Sequence, residues 1–264
     1  MPFTPSHAIV ALPWVKSRVP TAAIAVGAMT PDLPLFTLHW PVSYGVTHDV
    51  RWLPVTLVLA AVLLCVWWGV IRPAVRGLVP RWVAVRLPRE WDASARASLR
   101  SNWRGPRRVV AVLLAALAGI LSHIVWDSFT HVGRAATHIF PALAEPWGLL
   151  PGYKWLQHSS SVLGLVVLII FVAGWLRRRP QQPTVWTPST LRIMVLPAVL
   201  AILLVSAFSL GIAIYGPLRT DFGVEHVAYR MLPPACALWG CVVVVVCVWL
   251  SSRRHPIPGR HSRR

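Results

Sequence analysis

The chain has 264 residues, 56% hydrophobic and 13% charged, with a formal net charge of +18. A soluble domain carries about a quarter charged residues, so this composition excludes an ordinary soluble globular protein and points to an integral membrane protein. The four cysteines (Cys65, Cys236, Cys241 and Cys247) lie singly in apolar runs, so they read as small buried hydrophobes, not as a disulfide framework or thiolate metal site.

The opening MPFTPSHAIV has no basic stretch and no small-residue cleavage site, so no cleavable signal is expected. Ser6 is a candidate cap ahead of His7. Two apolar runs follow, 8–15 and 21–29, split by KSRVP. Each is shorter than the roughly 20 helical residues that cross a bilayer. They read as interfacial helices, re-entrant helices or a tight hairpin against the bundle. Asp32, flanked by Pro31 and Pro34, belongs to a turn. In THD at 47–49, His48 is a candidate ligand. Asp49 either caps the next helix or orients His48 as an outer partner. Long apolar spans are predicted at 53–70, 109–129, 159–176, 193–214 and 232–250. The predicted fold is all-α: a polytopic transmembrane helical bundle of about five long spans plus a short N-terminal helical pair. It forms one integral-membrane domain over 1–250, with a basic loop at 71–108 and a disordered basic tail at 251–264.

Arginine orients these spans. The segments 71–108, 177–192 and 251–264 hold nineteen of the twenty-six Lys and Arg; the alternate segments hold seven. The N-terminal region is therefore expected outside and the C-terminus in the cytoplasm. The charge reads as a topological signal aided by anionic lipid, and no nucleic-acid partner is expected. The fifteen tryptophans, including Trp52, Trp67, Trp68, Trp126, Trp155 and Trp175, read as interfacial belts.

Eight of the ten histidines fall on the outer side of this arrangement, with Asp32, Asp49, Asp127 and Glu225. In SHIVWDSFTH (122–131), His123 and Asp127 are four apart, so they share a helix face and can grip one ion. A polar pair that only hydrogen-bonds between helices is the plainer reading. His131 lies farther round, about 12 Å along from His123 on a straight helix. Either the helix ends near Phe129, or His131 serves a second ion or an outer shell. His158, after Gln157 in LQHSSS, is a further candidate. His39, His138, His226 and Glu225 have no motif around them. His7, Asp32, His48, His123, Asp127, His131 and His158 can together feed one to three divalent ions, with Asp49 and Gln157 behind them.

The series MPFTPSH, GAMTPDLPLF, TH, LSHIVWDSFTH and LQHSSSVLG resembles an uncharacterised bacterial integral-membrane family, a domain of unknown function. Ala8 replaces that family's usual proline. The family is in turn similar to inner-membrane metal-dependent hydrolases and to zinc-dependent phospholipase C. That resemblance implies His7, Asp32, His48, His123, Asp127 and His131 as ligands, and a location in the bacterial cytoplasmic membrane. The leading expectation is a metal-dependent hydrolase, zinc the favoured ion. Asp127 and Asp32 would act in catalysis on a phospholipid or lipid-linked phosphate ester. The competing expectations are a transporter or proton relay, a haem held by His123 and His158, and a non-enzymatic assembly protein.

Overall fold

The computed structural model describes residues 3–37, 41–184, 189–219 and 223–253. His39 and most of the basic tail, 254–264, lie outside the described residues. The chain opens as a 3-10 helix, Thr4–Trp14, with Pro5 in its first turn and Pro13 inside it. A turn leads to α1, Thr21–Met29, and a second 3-10 segment, Thr30–Phe36. At about 2.0 Å and 1.5 Å of rise per residue, neither arm reaches the ~30 Å of a bilayer core. The two arms pack on each other as a hairpin set into the bundle.

Five helices are long and apolar enough to cross a membrane, which makes the chain a multi-pass membrane protein. They are α2 (Val50–Gly77), α3 (Pro106–Thr130), α4 (Gly152–Arg177), α5 (Thr190–Tyr215) and α6 (Val224–Ser252). All run beyond the predicted limits because polar and arginine-bearing turns extend each helix. The basic loop accordingly begins after Gly77, not at residue 71. Pro73 lacks an N–H and its ring crowds the carbonyl four residues back, and α2 relaxes there into a π turn, Trp67–Ile71. Gly105, at φ 83°, and Pro106 in the first turn set the start of α3. Among the described residues the only strands are Pro146–Trp147 and Leu150–Pro151, one small antiparallel hairpin.

The core sits where α1 crosses α3, with Ala23, Ile24, Ala115, Ala116 and Ile120 buried together. A Cβ on Gly27 would strike the Ala116 carbonyl, and one on Gly119 the Ile24 carbonyl. Glycine at both positions lets the backbones touch, as small residues do between membrane helices. Trp68, read as part of the interfacial belt, is instead buried in this core and packs edge-on to Trp103. Of the cysteines only Cys247 is buried. Cys65 and Cys241 face outward from apolar helices, where lipid tails and not a protein core receive them.

The basic loop is folded. Buried Arg76 donates to the carbonyls of Ala84, Leu87 and Pro88 and pairs with Asp92. The short helix Ala95–Trp103, capped by Ser94, then leads into α3.

Candidate metal centre

Four side chains meet beneath the N-terminal hairpin: Asp32 from the Thr30–Phe36 segment, His48 after the short helix Tyr44–Thr47, and His123 and Asp127 from α3. All four are buried, and one ligand atom from each lies within 4.8 Å of the others. Helical spacing aligns His123 with Asp127. Asp32, expected in a turn, instead lies in the 3-10 segment Thr30–Phe36, where Pro31 and Pro34 keep the chain out of α-helix. The Thr47 hydroxyl donates to the Pro31 carbonyl at 2.7 Å and ties the His48 segment to that 3-10 segment.

The histidine tautomers follow from their partners. His48 Nδ1 lies 3.0 Å from the Tyr44 carbonyl, and His123 Nδ1 lies 2.7 Å from the Ala28 carbonyl. A carbonyl only accepts, so each Nδ1 must carry the hydrogen. In the neutral rings both Nε2 atoms therefore present bare lone pairs, and they face each other at 3.1 Å. Two lone pairs so close repel unless a cation or a proton lies between them.

The carboxylates complete the cage. Asp127 Oδ2 is 3.4 Å from His48 Nε2 and 3.5 Å from His123 Nε2. Asp32 Oδ1 is 3.9 and 3.5 Å from the same two atoms. Tetrahedral bonds of about 2.0 Å put neighbouring ligand atoms about 3.3 Å apart. The five edges that involve a histidine, 3.1–3.9 Å, lie near that length. Asp32 Oδ1 is also buried without a hydrogen-bond partner. The donor set, two neutral imidazoles and two carboxylates, fits a divalent ion and balances its charge.

An outer ring fixes these ligands. Thr4 donates to Asp32 Oδ2 at 2.7 Å, and Tyr44 donates to Asp127 Oδ2 at 3.1 Å. Burial, then the negative charge of Asp127, pushes the Tyr44 hydroxyl far above its usual range, so it remains a donor. Neither residue stood among the sequence candidates. Tyr44 lies four residues before His48 and Thr4 within MPFTPSH, so both were within reach of the pattern.

The remaining candidates take different places. His7 stacks on His123 with ring centroids 3.9 Å apart, and its Nε2 lies 3.7 Å from Asp127 Oδ1. Both of these atoms are buried with no hydrogen-bond partner, so they form a second open position beside the cage. Burial, followed by the positive charge that His123 carries whenever it is protonated, lowers the His7 pKa to about 4. Ser6 does not cap this helix; its hydroxyl donates to the Phe3 carbonyl.

α3 ends at Thr130, and His131 turns into extended backbone with φ −134°. Its Nδ1 donates to the Asp127 carbonyl at 3.1 Å, and its Nε2 lies 3.4 Å from the Gln157 amide nitrogen. His131 thus contacts Asp127 from outside the cage, and Gln157 contacts His131 in turn. His158 departs from the expected ligand set. One residue on from buried Gln157, it is turned about 100° round α4 and is exposed. The haem pairing of His123 with His158 loses its second ligand for the same reason. Asp49 is not behind His48. Its carboxylate accepts from the Arg51 backbone N–H and side chain, so it caps the start of α2.

No curated protein and no solved structure matches this chain. A family model does match, over residues 1–249, a span that includes every residue of the cage. The chain therefore belongs to the family described as a domain of unknown function, DUF4184.

Proposed function

We propose that this protein is a metal-dependent hydrolase of the bacterial cytoplasmic membrane, acting at the outer face on a phosphate ester of a lipid or lipid-linked substrate. The observation that carries the reading is the pair of bare Nε2 atoms at 3.1 Å, closed in by two buried carboxylates. Asp32, His48, His123 and Asp127 hold the ion, for which zinc suits the mixed nitrogen and oxygen donors. A bound ion supplies Lewis-acid polarisation of the phosphoryl oxygens.

The protein's own groups do the rest. Asp127 Oδ1, which accepts no hydrogen bond, orients the attacking water and receives its proton. His7 Nε2, 3.7 Å away, holds a substrate atom or a second ion. Tyr44 and Thr4 keep the two carboxylates from rotating. The cage belongs to the end of the bundle opposite most of the arginines, which supports an outward-facing site. α5 and α6 contribute no member of the cage, which weighs against a polar path through the membrane.

Metal analysis of detergent-purified protein, paired with release of phosphate or headgroup from membrane lipids, tests the reading. The expected result is about one tightly held divalent ion and lipid cleavage that both vanish in His123→Ala. Protein with no ion, and lipids left intact by wild type, would overturn it.

A further inference from the structure

We propose that a groove beside the cage holds one acyl chain of a membrane phospholipid, so that the lipid enters sideways with its phosphate at the Asp/His site. This rests on the hydrolase reading and names its substrate class. The groove lies between the Thr4–Trp14 helix, α3 and α4 and encloses about 430 Å³. Ile9, Val10 and Leu163 wall it, and His7 forms its link to the cage.

Depth matches an acyl chain. α3 and α4, of 25 and 26 residues, are each about 38 Å long and overrun the ~30 Å hydrocarbon core at both ends. Counted from the end of α3 at Thr130, Asp127 lies about 4.5 Å in and Ser122 about 12 Å in. Counted from the start of α4 at Gly152, Ser160 lies about 12 Å in and Gly164 about 18 Å in. The carboxylates thus sit at the level of lipid esters and phosphates, and the groove runs on from them toward the bilayer centre. A phospholipid in its own leaflet has the same order: ester and phosphate at the surface, chain inward.

The lining suits hydrocarbon although it includes three serines. Ser6 donates to the Phe3 carbonyl, Ser122 to Gly119 and Ser160 to Gln157, while Ser160 also accepts from the Trp126 indole. Every hydroxyl proton is turned onto the protein, so the wall asks nothing polar of its guest. Charge complements the other end of the lipid. Arg134 stacks over the Tyr44 ring at 5.8 Å, and Lys154 donates to Gln157 at 3.1 Å. Each cation contacts a side chain, Tyr44 or Gln157, that in turn contacts Asp127 or His131, so positive charge stands near the place of a phosphate.

The test uses full-length protein in nanodiscs containing a phosphatidylglycerol with a diazirine midway along one acyl chain. After irradiation, labels are mapped by peptide mass spectrometry. They are expected on the peptides bearing Val10 and Leu163. Val10→Trp and Leu163→Trp should each lower that labelling about ten-fold, the effect of denying two methylenes their buried place. Metal content should be unchanged in both variants, which shows that they remain folded. Even labelling over all membrane-facing peptides, or labelling unaffected by either tryptophan, would overturn the assignment. So would competition by a polyprenyl phosphate but not by unlabelled phospholipid. Protein that labels in the groove yet holds no metal would refute the hydrolase reading and leave the groove supported. Protein that holds metal yet labels evenly would refute the groove alone.

Discussion

Replacing Asp32 by asparagine should change the sign of its effect with metal. Without an ion, the cage holds two carboxylates whose facing oxygens are no more than 4.8 Å apart. At an effective dielectric constant of 20, that repulsion is about 3.5 kcal/mol at 4.8 Å. Shorter separations raise it, and protons taken up by the histidine pair offset part of it. The neutral asparagine side chain removes the repulsion. Its carbonyl can still accept from Thr4, and its amide can donate to the bare Nε2 atoms that Asp32 Oδ1 now faces at 3.5 and 3.9 Å. Satisfying them is worth about 1–3 kcal/mol, or a rise of roughly 2–12 °C in Tm in chelator for a chain of this size. With metal the order reverses. Wild type gains about 4.1 kcal/mol from an ion at a thousand times its Kd, roughly 8–16 °C. The variant, missing one charged ligand of four, loses most of that gain. Thermal unfolding in detergent, with EDTA or with zinc, measures both arms. If Asp32→Asn lowers Tm equally in the two conditions, the cluster is a metal-free hydrogen-bond network and the two Nε2 atoms do not present bare lone pairs to each other.

Four further outcomes follow from the geometry. His123→Ala should abolish metal binding and lower stability by about 3–5 kcal/mol, because it leaves buried carboxylates unpaired; metal analysis and a urea or heat titration read both. His158→Ala should leave metal content untouched and stability within about 0.5 kcal/mol, since the ring is exposed; a loss of metal would show that His158 is a ligand after all. Gly119→Val should destabilise by about 1–3 kcal/mol or more, equally with and without metal, because its side chain meets the Ile24 carbonyl. For orientation, a cysteine at Ser94 should react with a membrane-impermeant thiol reagent only from the cytoplasmic side, and one at Ser43 only from outside, in a background lacking Cys65, Cys236, Cys241 and Cys247. The opposite pattern would invert the topology.

Much of the site was legible because its signal is local. His123 and Asp127 are four residues apart on one helix, and helix geometry alone makes them neighbours. Asp32 was legible as standing outside any α-helix through its flanking prolines, although the segment is a 3-10 helix, Thr30–Phe36, and not an open turn. The long spans followed from length and hydropathy, and their true ends did not, because the extra turns are polar. What stayed hidden depends on tertiary contact. Tyr44 and Thr4 reach Asp127 and Asp32 across 83 and 28 residues of chain. His158 and Gln157 are adjacent in sequence but differ by about 100° of helix rotation, and only packing decides which of them faces His131. Trp68 likewise looked like its interfacial neighbours. Its burial depends on the loop folding back to bring Trp103 against it.

The short N-terminal hairpin is the part of the fold that builds the cage. Backbone that is not regular α-helix is costly at membrane depth, and it is tolerated only where protein buries it or where it lines a cavity. Here a 3-10 arm and a nine-residue helix enter the bundle and turn back. If packing alone were selected, a sixth ordinary span would bury more surface with every backbone group satisfied. A half-length arm instead allows Asp32 to stand on a 3-10 segment among the spans, and an ordinary helix could not present it there with its partner Thr4. The same arm lets the Ala28 carbonyl accept from His123 Nδ1, which fixes the tautomer and bares Nε2 toward His48. The structural irregularity and the unpaired lone pairs therefore share one origin. Protein burial meets the cost of the irregular backbone, and a cation or proton between the two Nε2 atoms would offset the repulsion of the lone pairs.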